Sequence, residues 1–488
     1  MTLILALKIL FISVFYYLSL ACILDLIASS TQKELNEFED PLGIQMFKIS
    51  SLSSLYIVFS RHKQLIKSIL ILPTSYFLFM IFINIIQDHI NKSYEDFKFF
   101  YAVGAAIYKQ SNPYLGMPDP TNTNIILNFP YLPNIFPILM PLGWMNIDTA
   151  SILFCLVSIA SIFFYCLGIY YLIKEYRVIT KVVIIICLSL YGLTFDVFIG
   201  NISTITITFI VWFVVFLKKN RQLTASIFLA LSTIKPTLCI FLFIYLLAKR
   251  KFKIFFISLG MAAAISACGL TMAGINPFNL IDVYSHFIQP WQNAINTNID
   301  NNLYGSEYLS TSRIDIGVLG FRLIKERQFS NIATIISSTC KISLIILVFW
   351  KIVLSGKYSD LTNSNKFLNA KKIFFLHDIS LITLLTLSCN YAQNTNNSLL
   401  IFSVLFLLVH KFYSWQILDL DNKLFWNLSV FCIMVHTSIS YGLFSYLFGY
   451  NNNYIQSITI GLLPNISIVI LIVCIVFMKI PKISAQTD

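Results

Sequence analysis

Two adjacent carboxylates, Glu95 and Asp96, follow an apolar run, residues 67–87, that is long enough to form a membrane helix. The aromatic and small residues at 97–108 predict an amphipathic helix that lies in the membrane interface. A carboxylate placed there could act as a general base that takes the proton of a hydroxyl nucleophile at the membrane surface. The alternative is an acidic pair that caps the helix and interacts favourably with its dipole.

A second candidate is Lys235, which stands beside Pro236 in the middle of the apolar segment 224–248. Cationic loops border this segment at both ends, so a single crossing would violate the positive-inside rule. Proline breaks a helix, and helices broken at membrane depth line a cavity or are buried in protein. We therefore predict a hairpin of two short helices with Lys235 near the turn. The alternative is one kinked span that departs from the charge rule.

An ionisable side chain inside a membrane is costly and is functional by default. For Lys235 this favours contact with a phosphate, although a lysine that merely snorkels to the surface has the same sequence pattern. The polar segment 276–330 contains His286, Trp291, Arg313 and Arg322. Arginine matches phosphate in a bidentate manner, and tryptophan can stack on a sugar face. The alternative for this segment is a solvated loop without a ligand.

The composition indicates an integral membrane protein. Hydrophobic residues make up 57% of the 488 residues and charged residues 11%, whereas a soluble domain carries about 25% charged residues. Apolar runs long enough to cross the hydrocarbon core recur along the whole chain. We predict an all-α polytopic membrane protein with roughly a dozen crossings.

The placement of the cations explains the net charge of +12 without nucleic-acid binding. Most Lys and Arg residues lie in seven short clusters between apolar runs, at 61–67, 174–181, 218–222, 249–253, 351–372, 411–423 and 479–482. These loops are predicted to face the cytoplasm. Residues 88–130 and 276–330 are then extracytoplasmic. For residues 1–66, a short second span and an external N-terminus both remain open.

The predicted organisation has four parts: a membrane segment at 1–66, a catalytic membrane core at 67–275, an extracytoplasmic loop at 276–330 and transmembrane helices at 331–488. The predicted spans are 3–27, 67–87, 149–173, 182–198, 202–217, 252–275, 331–354, 373–389, 399–410, 424–449 and 456–478. Residues 129–145 contain several prolines and predict a kinked, partly inserted helix.

Taken in order, these motifs resemble glycosyltransferase family 87, the polyprenol-phosphate-dependent mannosyltransferases of the GT-C superfamily. The features that carry the resemblance are an aspartate after an outward helix and, in order along the chain, Tyr101-Ala102, Asn112-Pro113-Tyr114, Tyr131-Leu132-Pro133, Gly200-Asn201 and Lys235-Pro236. Asn201 stands where the family usually has glutamine, and the family's late Ser-Pro element with a nearby histidine is not visible around residues 387–394.

The resemblance implies a GT-C-type helical bundle whose long first extracytoplasmic loop carries interfacial helices. It implies an inverting single displacement from a polyprenyl-phosphate sugar to the hydroxyl of a glycan or glycolipid acceptor. Asp96 is the expected base, and the expected substrate-binding residues are Glu95, Tyr101, Tyr131, Asn201, Lys235, Trp291 and Arg313. We expect a multi-pass protein of a bacterial inner or plasma membrane, in contact with membrane lipid, with an extracytoplasmic active site.

We assign neither a cofactor nor a metal, because the sequence contains no CxxC, HExxH, P-loop or GxGxxG motif. A polytopic transporter or lipid flippase is the alternative function, since transporters also use broken helices and intramembrane charges. Transporters usually have two halves with matching interruptions, and residues 331–478 contain no counterpart to Lys235-Pro236. An O-antigen polymerase or ligase would be expected to carry arginine and histidine in its loops.

Overall fold

The computed structural model describes residues 96–120, 126–174, 196, 200–294, 330–360, 368–389, 398–414, 420–438 and 454–478. Predictions for residues 1–87, for most of 182–198, and for Glu95, Arg313 and Arg322 lie outside these residues. The described chain is helical apart from one antiparallel pair of two-residue strands, β1 (Met117–Pro118) and β2 (Ile126–Leu127).

The helices of the described residues are labelled in chain order. They are α1 (Phe97–Tyr108), α2 (Phe136–Leu139), α3 (Ile147–Ile173), α4 (Ser203–Lys218), α5 (Gln222–Ser232), α6 (Ile240–Ala248), α7 (Phe252–Met272), α8 (Leu280–Val283), α9 (Ser330–Asp360), α10 (Leu368–Cys389), α11 (Ile401–Ser414), α12 (Leu420–Ser438) and α13 (Tyr454–Phe477).

Three of these helices are long and apolar enough to cross a membrane: α3, α7 and the part of α9 at Thr334–Leu354. A helix of 21 residues such as α7 is about 31 Å long, which equals the thickness of the hydrocarbon core. The structure confirms the predicted class, an all-α polytopic membrane protein. The helices lie close to the predicted spans in every described segment.

The segment around Lys235 forms the predicted hairpin. Helices α5 and α6 have 11 and 9 residues, so each extends only about half-way across a bilayer. The Ser226 hydroxyl on α5 donates to the Ile254 carbonyl near the start of α7, and α6 ends at Ala248, just before that start. Both ends of the hairpin therefore lie at the same end of α7, which rules out a single kinked span.

The kinked helix predicted at 129–145 is present, while its partial insertion into the membrane stays a prediction. It consists of a 3-10 turn at Pro133–Ile135, the four-residue α2, and a second 3-10 turn at Met140–Trp144. Close packing against α1 depends on Gly104 and Gly143, because a Cβ on either glycine would collide with the other segment's backbone. The predicted placement of α1 in the interface stays a prediction, since Phe97, Phe100, Ala102 and Gly104 are buried within the protein.

Two groups of buried side chains form the core. One joins α3, α4 and the hairpin to α9, α10 and α11. The other joins α1 and the kinked segment to the first turn of α4 and the last turns of α7. Lys235 and Asn201 lie at the boundary between these two groups of buried side chains.

Candidate active site

Asp96 occupies the N-cap position of α1 without capping it. Its side chain makes no hydrogen bond to the N–H groups of the first turn. Instead, the Asp96 Oδ2 atom accepts a 2.7 Å hydrogen bond from the Asn201 amide nitrogen. The capping alternative therefore does not explain this carboxylate.

Asn201 reaches Asp96 because the chain turns sharply at Gly200. This glycine has φ +71°, and a Cβ on it would lie 2.6 Å from the Phe97 Cβ. Glycine is the residue that accepts both the left-handed backbone and the close approach. The Asn201 N–H donates to the Asp196 carbonyl at 2.9 Å, which closes the turn.

Lys235 lies in the turn of the hairpin and is 7% exposed. Its ammonium group donates to Asn201 Oδ1 at 3.3 Å and to the Ser203 hydroxyl. The Ser203 hydroxyl in turn donates to Asn201 Oδ1 at 2.8 Å. One amide thus connects the carboxylate of Asp96 to the ammonium of Lys235. We call Asp96, Asn201, Ser203 and Lys235 the Asp96 cluster.

The Asp96 carboxylate is partly exposed yet surrounded by protein atoms. This burial raises the pKa of Asp96 above its ordinary value, while the hydrogen bond from Asn201 and the charge of Lys235 lower it. Among the described residues, Asn201 is the only hydrogen-bond donor to this side chain, and it uses only Oδ2. The second oxygen, Oδ1, has an open lone pair that could accept a proton.

Asp196 is a buried charge beside the cluster that the sequence did not single out as a site residue. It is fully buried, and its Oδ2 atom accepts from the Thr204 N–H at the start of α4. In its ionised form it attracts the Lys235 ammonium. Its main-chain and side-chain contacts hold the turn that carries Asn201. The sequence feature that could have identified Asp196 is its position five residues before Asn201, ahead of a helix.

Asn134 is a second residue that the sequence did not identify. Its amide donates 2.7 Å to the Thr233 hydroxyl, two residues before Lys235. The adjacent Pro133 packs against Gly269, where a Cβ would collide with the proline carbonyl. These contacts fix the kinked segment against both the hairpin and α7.

The predicted aromatic ligands lie farther along the same core, and the polar groups of Tyr101 and Trp291 bind main-chain carbonyls. The Tyr101 hydroxyl donates to Met145 at 3.0 Å, and the Trp291 indole donates to Pro130 at 2.9 Å. The Tyr131 ring packs on Phe100, with centroids 5.6 Å apart. None of the three makes a hydrogen bond to the Asp96 cluster in the described part of the chain.

Within the described residues, no group of three or more His, Cys, Asp or Glu side chains is arranged to hold a metal ion. The site thus offers a carboxylate with a raised pKa, an ammonium group, and an amide and a hydroxyl between them. This set can accept a proton at one end and bind an anionic oxygen at the other.

Comparison with known proteins gives one family. Residues 129–360 match the model of Glycosyltransferase family 87. The match includes Asn201, Lys235 and the kinked segment, and it begins after Asp96. No curated protein and no solved structure matches the chain.

Proposed function

We propose that this chain, a membrane glycosyltransferase of family 87, transfers a hexose, mannose being our candidate, from a polyprenyl-phosphate donor to an acceptor hydroxyl. The observation that carries the proposal is the Asp96 cluster. Three motifs far apart in sequence meet there, with Asp96 and Lys235 bound to the two ends of the Asn201 side-chain amide.

Asp96 acts as the general base in this proposal. The acceptor hydroxyl gives its proton to Asp96 Oδ1 while its oxygen forms a bond to the anomeric carbon. The bond between the anomeric carbon and the phosphate oxygen breaks, and its electron pair leaves with the polyprenyl phosphate. One displacement inverts the configuration of the anomeric carbon. Asn201 holds Oδ2 at 2.7 Å and so orients Oδ1 toward the acceptor.

Lys235 stabilises the charge that develops on the leaving phosphate. An ammonium group carries three N–H donors, and two of those on Lys235 are directed to Asn201 and Ser203. The third is available for a phosphate oxygen. Tyr101, Tyr131 and Trp291 shape the walls of the site through their main-chain hydrogen bonds. Glu95 and Arg313 stay candidates for substrate binding.

The reaction takes place on the extracytoplasmic side. The cationic loop at 249–253 precedes α7, so by the positive-inside rule the far end of α7 lies outside the cytoplasm. Pro133 packs against Gly269, near that end. The family match favours a transferase over the transporter or flippase alternative.

The direct test uses the purified protein in proteoliposomes. Radiolabelled polyprenyl-phosphate mannose and labelled nucleotide sugars are offered side by side, with membrane lipid extracts as acceptors. We expect label to move only from the lipid-linked donor. Transfer from the nucleotide sugar alone would disprove the proposed donor, and transport of the donor without transfer would favour the flippase.

Orientation is tested by cysteine labelling in intact cells. An impermeant maleimide should label Ser111→Cys, an exposed position after α1, above the signal of the ten native cysteines. The matched control is Gln222→Cys, which is exposed at the start of α5 and should react only after permeabilisation. The reverse pattern would place the Asp96 cluster on the cytoplasmic side.

A further inference from the structure

A short turn after α7 exposes several large apolar side chains. Phe278 is 92% exposed, Leu280 83%, Ile281 80% and Tyr284 57%. These side chains are neighbours in the chain, and together they form one apolar surface. We call residues 276–284 the anchor turn.

The anchor turn has a fixed structure that holds these side chains outward. The Asn279 side chain caps α8 by accepting from the Ile281 and Asp282 N–H groups. The Asp282 carboxylate accepts from the Asn276 N–H at 2.6 Å, and Asn276 Oδ1 accepts from the Phe278 N–H at 3.0 Å. The exposed apolar surface is therefore built into a hydrogen-bonded turn.

The surface lies at the end of a membrane-length helix. Helix α7 is about 31 Å long and begins at the cationic loop, so the anchor turn emerges at the opposite membrane boundary. Asp282 and His286 supply polar groups beside this surface, and the Asp282 Oδ1 and His286 Nδ1 atoms are 2.7 Å apart.

We propose that the anchor turn inserts Phe278, Leu280, Ile281 and Tyr284 into the extracytoplasmic interface of the bilayer. Helices with one apolar and one polar face bury the apolar one about 5–10 Å into the headgroup and acyl boundary. The partner of this surface is the lipid itself, with the Asp282–His286 pair facing water.

Insertion would also hold in place the two segments that pack beside the candidate active site. The helical segment that follows the anchor turn binds the first external segment through its inner face: the Asn112 amide donates to the His286 carbonyl at 2.8 Å, and the Phe287 and Tyr114 rings are 4.9 Å apart. The Tyr114 hydroxyl then donates to the Tyr131 carbonyl. Lipid contact at the anchor turn thus holds the wall of the candidate active site at the level of the membrane surface.

The test measures lipid contact directly. Phe278→Trp is reconstituted in phosphatidylethanolamine and phosphatidylglycerol vesicles whose chains are brominated near the headgroup, and its added fluorescence is read against the six native tryptophans. The control is Gln289→Trp, at an exposed polar position. We expect quenching at 278 to exceed that at 289 by about threefold or more. Ile281→Trp provides a second position if the first variant does not fold.

Equal quenching at 278, 281 and 289 would overturn the proposal. Quenching at 278 that decreases as the protein density in the vesicle increases would show that a second copy of the protein covers this surface. That result would also overturn the proposal.

A second arm of the experiment rests on the proposed function. Phe278→Ser with Ile281→Ser should raise the KM for a long-chain donor by about tenfold while leaving a short-chain, water-soluble donor unchanged. If the double variant changed the KM for both donors equally, relative to wild type, the link between the anchor turn and the site would be overturned. Because the quenching measurement needs no sugar transfer, a failure of the proposed function and a failure of the anchor can be distinguished.

Discussion

Two of the lysine–aspartate arrangements in the described part of the chain differ in how their charges are satisfied. In the Asp96 cluster, an amide and a hydroxyl separate carboxylate from ammonium, and Asp96 Oδ1 keeps an open lone pair. Near the opposite end of α7, Lys249 and Asp378 form a direct 2.7 Å ion pair. Lys249 also donates to the Ile352 carbonyl at 3.0 Å. We call Lys249, Asp378 and the adjacent His377 the Asp378 cluster.

The difference distinguishes a candidate active site from an ion pair that connects helices. Direct contact neutralises both charges and ties the loop before α7 to α9 and α10, which is a structural role. Among the described residues, the open arrangement shows no hydrogen-bond partner for Asp96 Oδ1, and in our proposal the acceptor hydroxyl occupies that position. Burial alone therefore does not distinguish the two lysines, and the proposal for Lys235 rests on its hydrogen bonds to Asn201 and Ser203.

The largest effect is expected for Asp96→Asn. Asparagine keeps the shape of the side chain but cannot accept the proton, and general-base catalysis is typically worth about 10²–10⁴ in rate. We expect a folded, inserted protein whose transfer is at least about a hundredfold slower, measured as single-turnover transfer in proteoliposomes. Asp148→Asn, in the first turn of α3, is the control and should stay near the wild-type rate. Transfer within a few-fold of wild type in Asp96→Asn would exclude this base and make Glu95→Gln the next variant.

A smaller loss is expected for Lys235→Met, which removes the ammonium but keeps most of the apolar stem. A hydrogen bond to a charged group contributes about 1.5–3 kcal/mol, or roughly 10- to 100-fold. The loss should appear in kcat/KM for the lipid-phosphate donor and much less in the KM of the acceptor. Unchanged donor kinetics would leave Lys235 as a lysine that only snorkels to the surface.

The same variant should move the pH profile. Burial raises the pKa of Asp96, and Lys235 lowers it by stabilising the carboxylate. Activity should therefore rise with pH as Asp96 loses its proton, with a midpoint above the ordinary carboxyl value of 3.8. Without the positive charge the carboxylate is less favoured, so Lys235→Met should shift this limb to higher pH. Lys249→Met should leave it in place, and a shift to lower pH in Lys235→Met would contradict the assignment.

The smallest effect on turnover is expected for Lys249→Met. Lys249→Met removes a direct partner of the buried Asp378 carboxylate, while His377 and Lys351 stay near it. We expect a cost on the order of 2 kcal/mol for a pair that keeps some solvent contact. Thermal unfolding in detergent should begin at lower temperature, while kcat at a permissive temperature stays within about twofold. Lys253→Met, at an exposed cation in the first turn of α7 beside the Lys249 loop, should change neither. Loss of kcat with unchanged stability would show that the Asp378 cluster has a part in the reaction.

Much of the fold followed from local features of the sequence. Runs of apolar residues predicted α3, α4 and α7 to within a few residues, because a chain in lipid must satisfy its backbone hydrogen bonds within each helix. Pro236 between two cationic loops predicted the hairpin. The family match supports the resemblance that these motifs carried.

The arrangement of the site depended on contacts between distant segments. Asp96 and Asn201 are 105 positions apart, and Asn201 and Lys235 are 34 apart. The sequence also gave no sign that Lys249, counted among the loop cations, would pair with a buried Asp378. It did not indicate that the polar groups of Tyr101 and Trp291 would bind main-chain carbonyls.

The sequence by itself determined the membrane class, the apolar helices that the structure describes and the break at Lys235-Pro236, because hydrophobicity, proline and charge act over a few residues. Only the tertiary structure decided which charges face each other, because that depends on close approaches such as Gly200 against Phe97. Such an approach is made by two segments together. Neither segment encodes it alone, so the open Asp96 cluster and the closed Asp378 cluster could be told apart only after the helices had packed.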